Sequence, residues 1–219
     1  MLIIFDCDGV LVDSEPIAAR ELQRYLEDID YPVIVRAEDH DRFLGFTLKK
    51  MRHDLETEAA TPLPVDFEDE LRRRDKLAFE ADLTAIPGVL ETVQCLDAPY
   101  CVASSGPPEK IRTSLALTGM LDVFAPHLFS AHDPGVANGK PAPDIFLYAA
   151  AKMGFAPSAC VVIEDSPAGV VAGVAAGMRV LGFTGGGHCG PGYDGLLRSA
   201  GAEVIFDDMA QLPGLITKS

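Results

Sequence analysis

The chain has 219 residues, of which 48% are hydrophobic, and carries 33 Asp plus Glu against 18 Lys plus Arg, a net charge of −15. That length suits one large domain or one domain with an insertion, and the apolar share is enough for a sizeable core. The acidic balance argues against nucleic acid and anionic membrane as partners, since both reward a basic surface, and leaves room for a local anion site.

The first element is LIIF at 2–5, an apolar run of strand character that passes directly into Asp6, Cys7, Asp8 and Gly9. In an extended strand, side chains i and i+2 share a side, so Asp6 and Asp8 would face one way and Cys7 the other. Two carboxylates held so close repel unless a cation or a proton lies between them. On this stretch alone, a strand that simply ends in a polar turn at Gly9 is an equal alternative.

Residues 15–84 then break the strand rhythm. They are rich in charge and read as helices, for example IAARELQRYLED and FEDELRRRDKLAFEADL, with Pro62 and Pro64 as punctuation and Pro87-Gly88 after the end. The expectation is a helical domain inserted after the first strand, with hinges near 14–16 and 83–87, placed over whatever lies beyond Asp8.

After it, strand-like runs return: YCVAS at 100–104, CVVI at 160–163, RVLGF at 179–183 and EVIF at 203–206. Continuous apolar runs suit strands buried on both faces of a parallel sheet. Helical stretches separate them. PPEKIRTSLALTGML and PAPDIFLYAAAKMG open near proline and close near glycine, and SPAGVVAGVAAGM offers Ser166 as N-cap with Pro167 behind it. The expected fold is α/β: a three-layer, Rossmann-like core (1–14 and 85–219) around a parallel sheet, plus the inserted helical domain (15–84). Ligands of such sheets bind beyond the carboxyl ends of the strands.

The five cysteines show no CxxC pair, and three lie in strand-like runs, which predicts buried free thiols in a reducing cytosol. The first strand begins at residue 2, leaving no room for a signal peptide, and no apolar run is long enough to span a bilayer. The expectation is a soluble, cytoplasmic protein.

Collecting the polar residues that end strands gives a site. The first run supplies Asp6 and Asp8, the second Ser104 and Ser105 before a helix, and the third Glu164 and Asp165 before another; Lys140 precedes the helix after Pro143. A parallel sheet gathers all of these at one edge. Asp6, Glu164 and Asp165 offer hard oxygens suited to Mg²⁺. Ser104, Ser105 and the backbone N–H groups of the helix start suit phosphate oxygens, and Lys140 adds a point charge. A carboxylate whose charge is masked can attack phosphorus, and a second one, two residues on, can exchange a proton with the leaving alcohol and with water.

The ordered set DCDGVLVDSE, VASSG, GKPAPDIF and VVIEDSPAGVVAGVAAGM resembles the haloacid dehalogenase-like superfamily, and within it the β-phosphoglucomutase-like and sugar-phosphate phosphatase branch. The resemblance covers the α/β core and the place of the insertion, which looks like the family's helical cap. It implies that Asp6 is the nucleophile, forming an aspartyl-phosphate, and that Asp8 is the general acid/base. It further implies that Ser104 and Lys140 hold phosphate, and that Glu164 and Asp165 complete a Mg²⁺ site with Asp6 and the Asp8 carbonyl. The mutase's hinge histidine would fall at Ala18 and its basic cap residues near Leu44 and Leu48, and this chain has neither. That departure favours a phosphatase of a small phosphorylated metabolite, a sugar or polyol phosphate. A mutase-type phosphotransferase is the alternative, and a non-enzymatic phospho-acceptor module a remote one. Asp8 speaks against dehalogenase chemistry, which lacks the second aspartate.

Weaker signals complete the expectation. Gly45, Phe46, Thr47 and Lys49 correspond to the family's substrate-reading cap loop, with a helix break and solvated lysines as the equal alternative. The RRRDK run, Arg72–Lys76, reads as a solvated face pairing with Glu68, Asp69 and Glu70. GFTGGGHCGPG at 182–192 reads as a mobile connection, none of the five histidines is assigned to metal, and Met120, Met153 and Met178 read as core filler. The substrate itself and the oligomeric state are not legible.

Overall fold

A computed structural model describes residues 1–36, 43 and 47–217. The strands are β1 (Leu2–Phe5), β2 (Tyr100–Ser104), β3 (Leu128–Ser130), β4 (Cys160–Glu164), β5 (Arg179–Phe183) and β6 (Val204–Phe206). They form one sheet in the order β3-β2-β1-β4-β5-β6, parallel throughout. Every strand-like run of the sequence is a strand here. The one not foreseen, β3, is three residues long and half-buried, too short to carry a periodic signal.

β1 lies at the centre, with Phe5 in register with both Val102 and Ile163. All four of its residues are buried, and they alternate between two cores. Ile3 and Phe5 join one apolar cluster, and Leu2 and Ile4 join the other. The first is closed by α4 (Val89–Gln94), α5 (Pro108–Leu117), α6 (Leu121–Phe124) and α10 (Leu212–Ile216); the second by α7 (Asp144–Met153), α8 (Pro167–Ala175) and α9 (Tyr193–Ala200). Helices on both faces make the three-layer, Rossmann-like arrangement expected from the sequence. Each fully buried aliphatic or aromatic side chain in these layers contributes about 1.5–3 kcal/mol. Ser166 caps α8 as predicted, its Oγ accepting the Gly169 N–H at 3.0 Å.

Between β1 and β2 run α1 (Glu15–Asp28), α2 (Leu48–Ala59) and α3 (Phe67–Asp82). Leu22, Tyr25, Leu26, Leu55, Phe67 and Leu71 form an apolar cluster of their own that contains no strand residue. The chain enters and leaves this segment side by side. Val12 bridges Ala85, the Asp13 N–H donates to the Thr84 carbonyl at 3.0 Å, and the Ile86 N–H donates to Leu11 at 2.9 Å. All five cysteines are free, with Cys7, Cys101 and Cys160 buried. No helix among the described residues is long and apolar enough to cross a membrane.

Candidate active site

The parallel sheet brings the strand-end residues to one edge, beginning with the turn after β1. The Asp6 N–H continues the ladder to the Ile163 carbonyl at 3.0 Å, and the Leu11 and Val12 N–H groups close back on the Cys7 carbonyl. Cys7 points into the core, as alternation requires. Gly9 takes φ 74°, and a Cβ there would lie 1.9 Å from Asp165 Oδ2. Only a glycine lets this turn sit against the end of β4.

Asp6 is buried and receives the Lys140 ammonium in a short ion pair. The same Nζ donates to Glu164 Oε1 at 2.6 Å and to the Ala103 carbonyl at 3.2 Å, and it stands 4.9 Å from the centre of the Phe146 ring. Burial pushes the Asp6 pKa well up; Lys140 offsets part of this, while Glu164, Asp165 and Asp8 add to it. Burial opposes the charge on Lys140, but Asp6 and Glu164 more than reverse that, so the ammonium is held charged.

Asp8 has different company. Its Oδ1 accepts from Ser14 Oγ at 2.6 Å and its Oδ2 from Lys110 Nζ at 2.8 Å. Burial would raise its pKa, yet the Lys110 charge with the Lys110 and Ser14 hydrogen bonds outweighs burial and holds it below the ordinary value. Two carboxylates one residue apart thus have opposite tendencies, set by burial at Asp6 and by Lys110 and Ser14 at Asp8.

Glu164 is fully buried, and its second oxygen accepts from the Ser166 N–H and Oγ, both at 3.0 Å. Its carboxylate therefore faces Lys140 on one side and the start of α8 on the other. Asp165, next to it, is also buried, with Oδ2 3.0 Å from His188 Nε2; burial first and Glu164 second raise its pKa. Ser104 is buried, its Oγ accepting the Gly106 N–H at 3.0 Å, whereas Ser105 is exposed. The start of α5 is poorer in donors than expected, because Pro107 and Pro108 carry no N–H.

Sequence reasoning missed Lys110 and His188. Lys110 sits in the first turn of α5, and His188 belongs to the glycine-rich loop expected to be a mobile connection. That loop instead packs on the turn after β1. The Gly187 N–H donates to Asp13 Oδ1 at 2.9 Å, and a Cβ on Gly186 would lie 2.9 Å from the Gly9 carbonyl. Its glycines serve close approach. Among the expected cap residues, Lys49 is exposed in α2, and Thr47 caps that helix by accepting the Lys50 N–H at 3.2 Å. Gly45 and Phe46 lie outside the described residues.

The sequence profile of the haloacid dehalogenase-like hydrolases matches residues 1–177. The chain belongs to the haloacid dehalogenase-like hydrolase family. It is 32% identical to the 6-phosphogluconate phosphatase of Escherichia coli, over 86% of this chain and 85% of that one. It is 31% identical to hexitol phosphatase A of the same organism, over 81% of this chain and 80% of that one. Among solved structures, a haloacid dehalogenase-like protein of unknown function from Agrobacterium tumefaciens superposes with a TM-score of 0.89 at 42% identity, covering 98% of this chain and 96% of that one. As a member of this family the chain is a hydrolase.

Family membership implies Mg²⁺, and the donor set fits it. Among the described residues no group of three or more His, Cys, Asp or Glu forms a ready-made metal centre. Mg²⁺ requires no such cluster, since it binds through one or two carboxylates and keeps waters and phosphate oxygens. Asp6 and Asp165 are hard oxygen donors, buried, with their charged forms disfavoured by burial and by one another's neighbourhood. Buried like charges of this kind are what a cation relieves.

Proposed function

We propose that this hydrolase is a phosphatase of a small phosphorylated metabolite, a sugar or polyol phosphate, acting through an aspartyl-phosphate on Asp6. The observation that carries this reading is Lys140 Nζ bonded at once to Asp6 and Glu164, with Asp8 held separately by Ser14 and Lys110. The curated relatives named for 6-phosphogluconate and for hexitols support the substrate class.

In this mechanism the Lys140 charge draws the phosphate in beside Asp6 and masks the carboxylate's own charge. An Asp6 oxygen attacks phosphorus, the P–O bond to the alcohol breaks, and the leaving oxygen takes a proton from the Asp8 carboxyl. The nearby phosphate dianion raises the Asp8 pKa toward that protonated form. Asp8 then takes a proton from water, whose oxygen attacks phosphorus and breaks the bond to Asp6, releasing inorganic phosphate. Ser104 orders the turn that faces the phosphate. Asp6, Asp165 and the Asp8 main-chain carbonyl would hold Mg²⁺. Bound there, the ion would polarise the phosphoryl oxygens and neutralise developing charge. Glu164, expected from the sequence among direct metal ligands, is assigned here to fixing Lys140 and the start of α8. Residues 15–84 serve as a cap on a core of 1–14 and 85–219. Their separate apolar cluster and the paired connections at Val12 and Ala85 support that division.

A phosphate-release screen over metabolite esters, with and without Mg²⁺ and with Asp6→Asn as the control, tests the reading. Wild type releases phosphate only with the metal and Asp6→Asn releases none. Release by Asp6→Asn above a trace would sink the covalent mechanism, and isomerisation without release would replace the phosphatase by a mutase.

A further inference from the structure

Among the described residues, three side chains keep a polar atom shut off from solvent and without a hydrogen-bond partner: Asp75 Oδ1, His188 Nδ1 and Tyr193 Oη. Asp75 belongs to the face of α3 that carries the buried Leu71 and Phe79, each four residues away. The other two meet, the His188 and Tyr193 rings standing edge to face with their centres 5.5 Å apart. His188 also reaches the site. Its side chain is fully buried, and Nε2 lies 3.0 Å from Asp165 Oδ2.

The loop between β5 and α9 is built to bring the ring there. Gly185, Gly186 and Gly187 follow one another, and a Cβ on them would run into the Asp207 carbonyl, His188 Cε1 and Asp13 Oδ2 respectively. Three glycines in a row thus permit close approach on three sides. The Thr184 N–H donates to the Phe206 carbonyl at 2.9 Å and the Cys189 N–H to the Gly186 carbonyl at 3.0 Å, which ties down the segment on either side of them. A Cβ on Gly9 would strike both Asp165 Oδ2 and His188 Cε1. The Asp165 carboxylate is therefore enclosed by the turn after β1 on one side and by the His188 ring on another.

Burial lowers the His188 pKa, with Glu15 and Asp13 offsetting part of this, so the ring is neutral and carries one N–H. A proton on Nδ1 would be a buried donor with nothing to bond, whereas a proton on Nε2 faces a carboxylate oxygen. That places the N–H on Nε2 and leaves a lone pair on Nδ1. The Cys189 sulfur, 3.3 Å from Nε2, is a weaker second partner. An apolar ring of similar size would pack on Tyr193 and orphan no polar atom. The imidazole is the less stable filling of this space, and what it adds is a hydrogen bond to Asp165.

We infer that His188 is a positioning residue for the metal site, its Nε2–H holding one oxygen of Asp165 so that the carboxylate meets Mg²⁺ already oriented. The inference rests on the placement of Mg²⁺ at Asp6 and Asp165 proposed above and deepens it. Partners that orient a ligating carboxylate in this way typically contribute about 10–100-fold to metal affinity.

The test titrates Mg²⁺ into metal-free protein, without substrate, and follows the rise in melting temperature that binding produces. His188→Phe keeps a ring and removes the donor, and should bind Mg²⁺ about ten- to a hundredfold more weakly. His188→Gln returns an N–H near the position of Nε2 and should recover most of that loss. Asp13→Ala unties Gly187 without touching either partner, and should weaken Mg²⁺ binding by a smaller factor. In aryl phosphate hydrolysis His188→Phe should need correspondingly more Mg²⁺ for its half-maximal rate. A residue that merely filled space would change the metal-free melting temperature and leave the Mg²⁺ dissociation constant unmoved. Unchanged affinity in folded His188→Phe, or a Gln variant as weak as the Phe variant, overturns the inference, while Mg²⁺-dependent hydrolysis by the wild type leaves the phosphatase reading standing. If the ring variants do not fold, unchanged affinity in Asp13→Ala overturns it instead. A wild type that neither binds Mg²⁺ nor hydrolyses the aryl phosphate overturns both.

Discussion

Asp75→Asn should make the protein more stable, by an amount that grows with pH. The Asp75 carboxyl rises from an ordinary 3.8 to about 7, chiefly through burial. A rise of about three pKa units is worth about 4 kcal/mol as a ceiling, and partial exposure of the residue with relaxation around it brings a working figure near half of that. The native pKa is raised, so the native state keeps its advantage below the unfolded value. As pH climbs from about 4 to about 7 the unfolded chain ionises at this position while the native chain still holds its proton, and stability falls; above about 7 the loss is constant. Asparagine has no proton to lose and is spared the whole decline. Urea unfolding of both proteins, run metal-free at about pH 5 and about pH 8, should show the variant's advantage widening by about 1–2.5 kcal/mol between the two. An advantage that stays flat, or a variant less stable at the higher pH, would refute the picture of a buried, unpartnered carboxyl.

Asp8→Asn should slow phosphoryl transfer from alkyl phosphates by about a hundred- to ten-thousand-fold. With an aryl phosphate it should give a phenol burst approaching one equivalent per site and then stall, seen by rapid mixing; equal slowing of both classes without a burst would remove Asp8 from the chemistry. Chelation should stop turnover and lower the melting temperature, and Mg²⁺ should restore both, because Asp6 and Asp165 are buried carboxylates that a cation relieves; full activity in a metal-free preparation would falsify this. Gly9→Ala should cost about 2 kcal/mol or more in urea unfolding together with activity, since φ 74° and a Cβ 1.9 Å from Asp165 Oδ2 both oppose a side chain; wild-type behaviour would mean that the turn can be displaced freely.

The sheet and the residues at its carboxyl edge were legible because their signals are local. Continuous apolar runs mark buried parallel strands, and the polar residue that ends each run is carried to the same edge by the topology itself. Asp6, Asp8, Ser104, Glu164 and Asp165 needed only that logic. Lys140 precedes a helix instead, and its position between the second and third of these strand ends marks it as the point charge of the set. What stayed hidden depends on contacts between distant parts of the chain. Lys110 meets Asp8 across 102 positions and Gly187 meets Asp13 across 174, and no periodicity encodes either. His188 was masked by its setting, because glycines that permit close packing read the same as glycines that permit motion. Asp75 was masked by its neighbours: in a run of alternating charges, only the four-residue spacing to Leu71 and Phe79 distinguishes the residue that turns inward, and that spacing is decisive once the helix's buried face is known.

The acidic balance that argues against polyanionic partners also shapes the site. Asp6, Asp8, Glu164 and Asp165 are met by two ammonium groups, Lys110 and Lys140, and by the His188 imidazole, in a chain whose net charge is −15. Long-range attraction of a phosphate dianion cannot come from that field, so recognition has to be local. Lys140 achieves it by burial, since an ammonium taken out of water acts through a low dielectric and is not screened by salt. Its own desolvation is offset by Asp6 and Glu164, which is why a fully buried glutamate stands behind it. The same economy explains Lys110, whose charge and hydrogen bond, with that of Ser14, hold the Asp8 pKa below its ordinary value. Each lysine is thus held by the carboxylates it serves, and Asp165, left over after both pairs are made, is the buried carboxylate that a bound divalent cation would relieve.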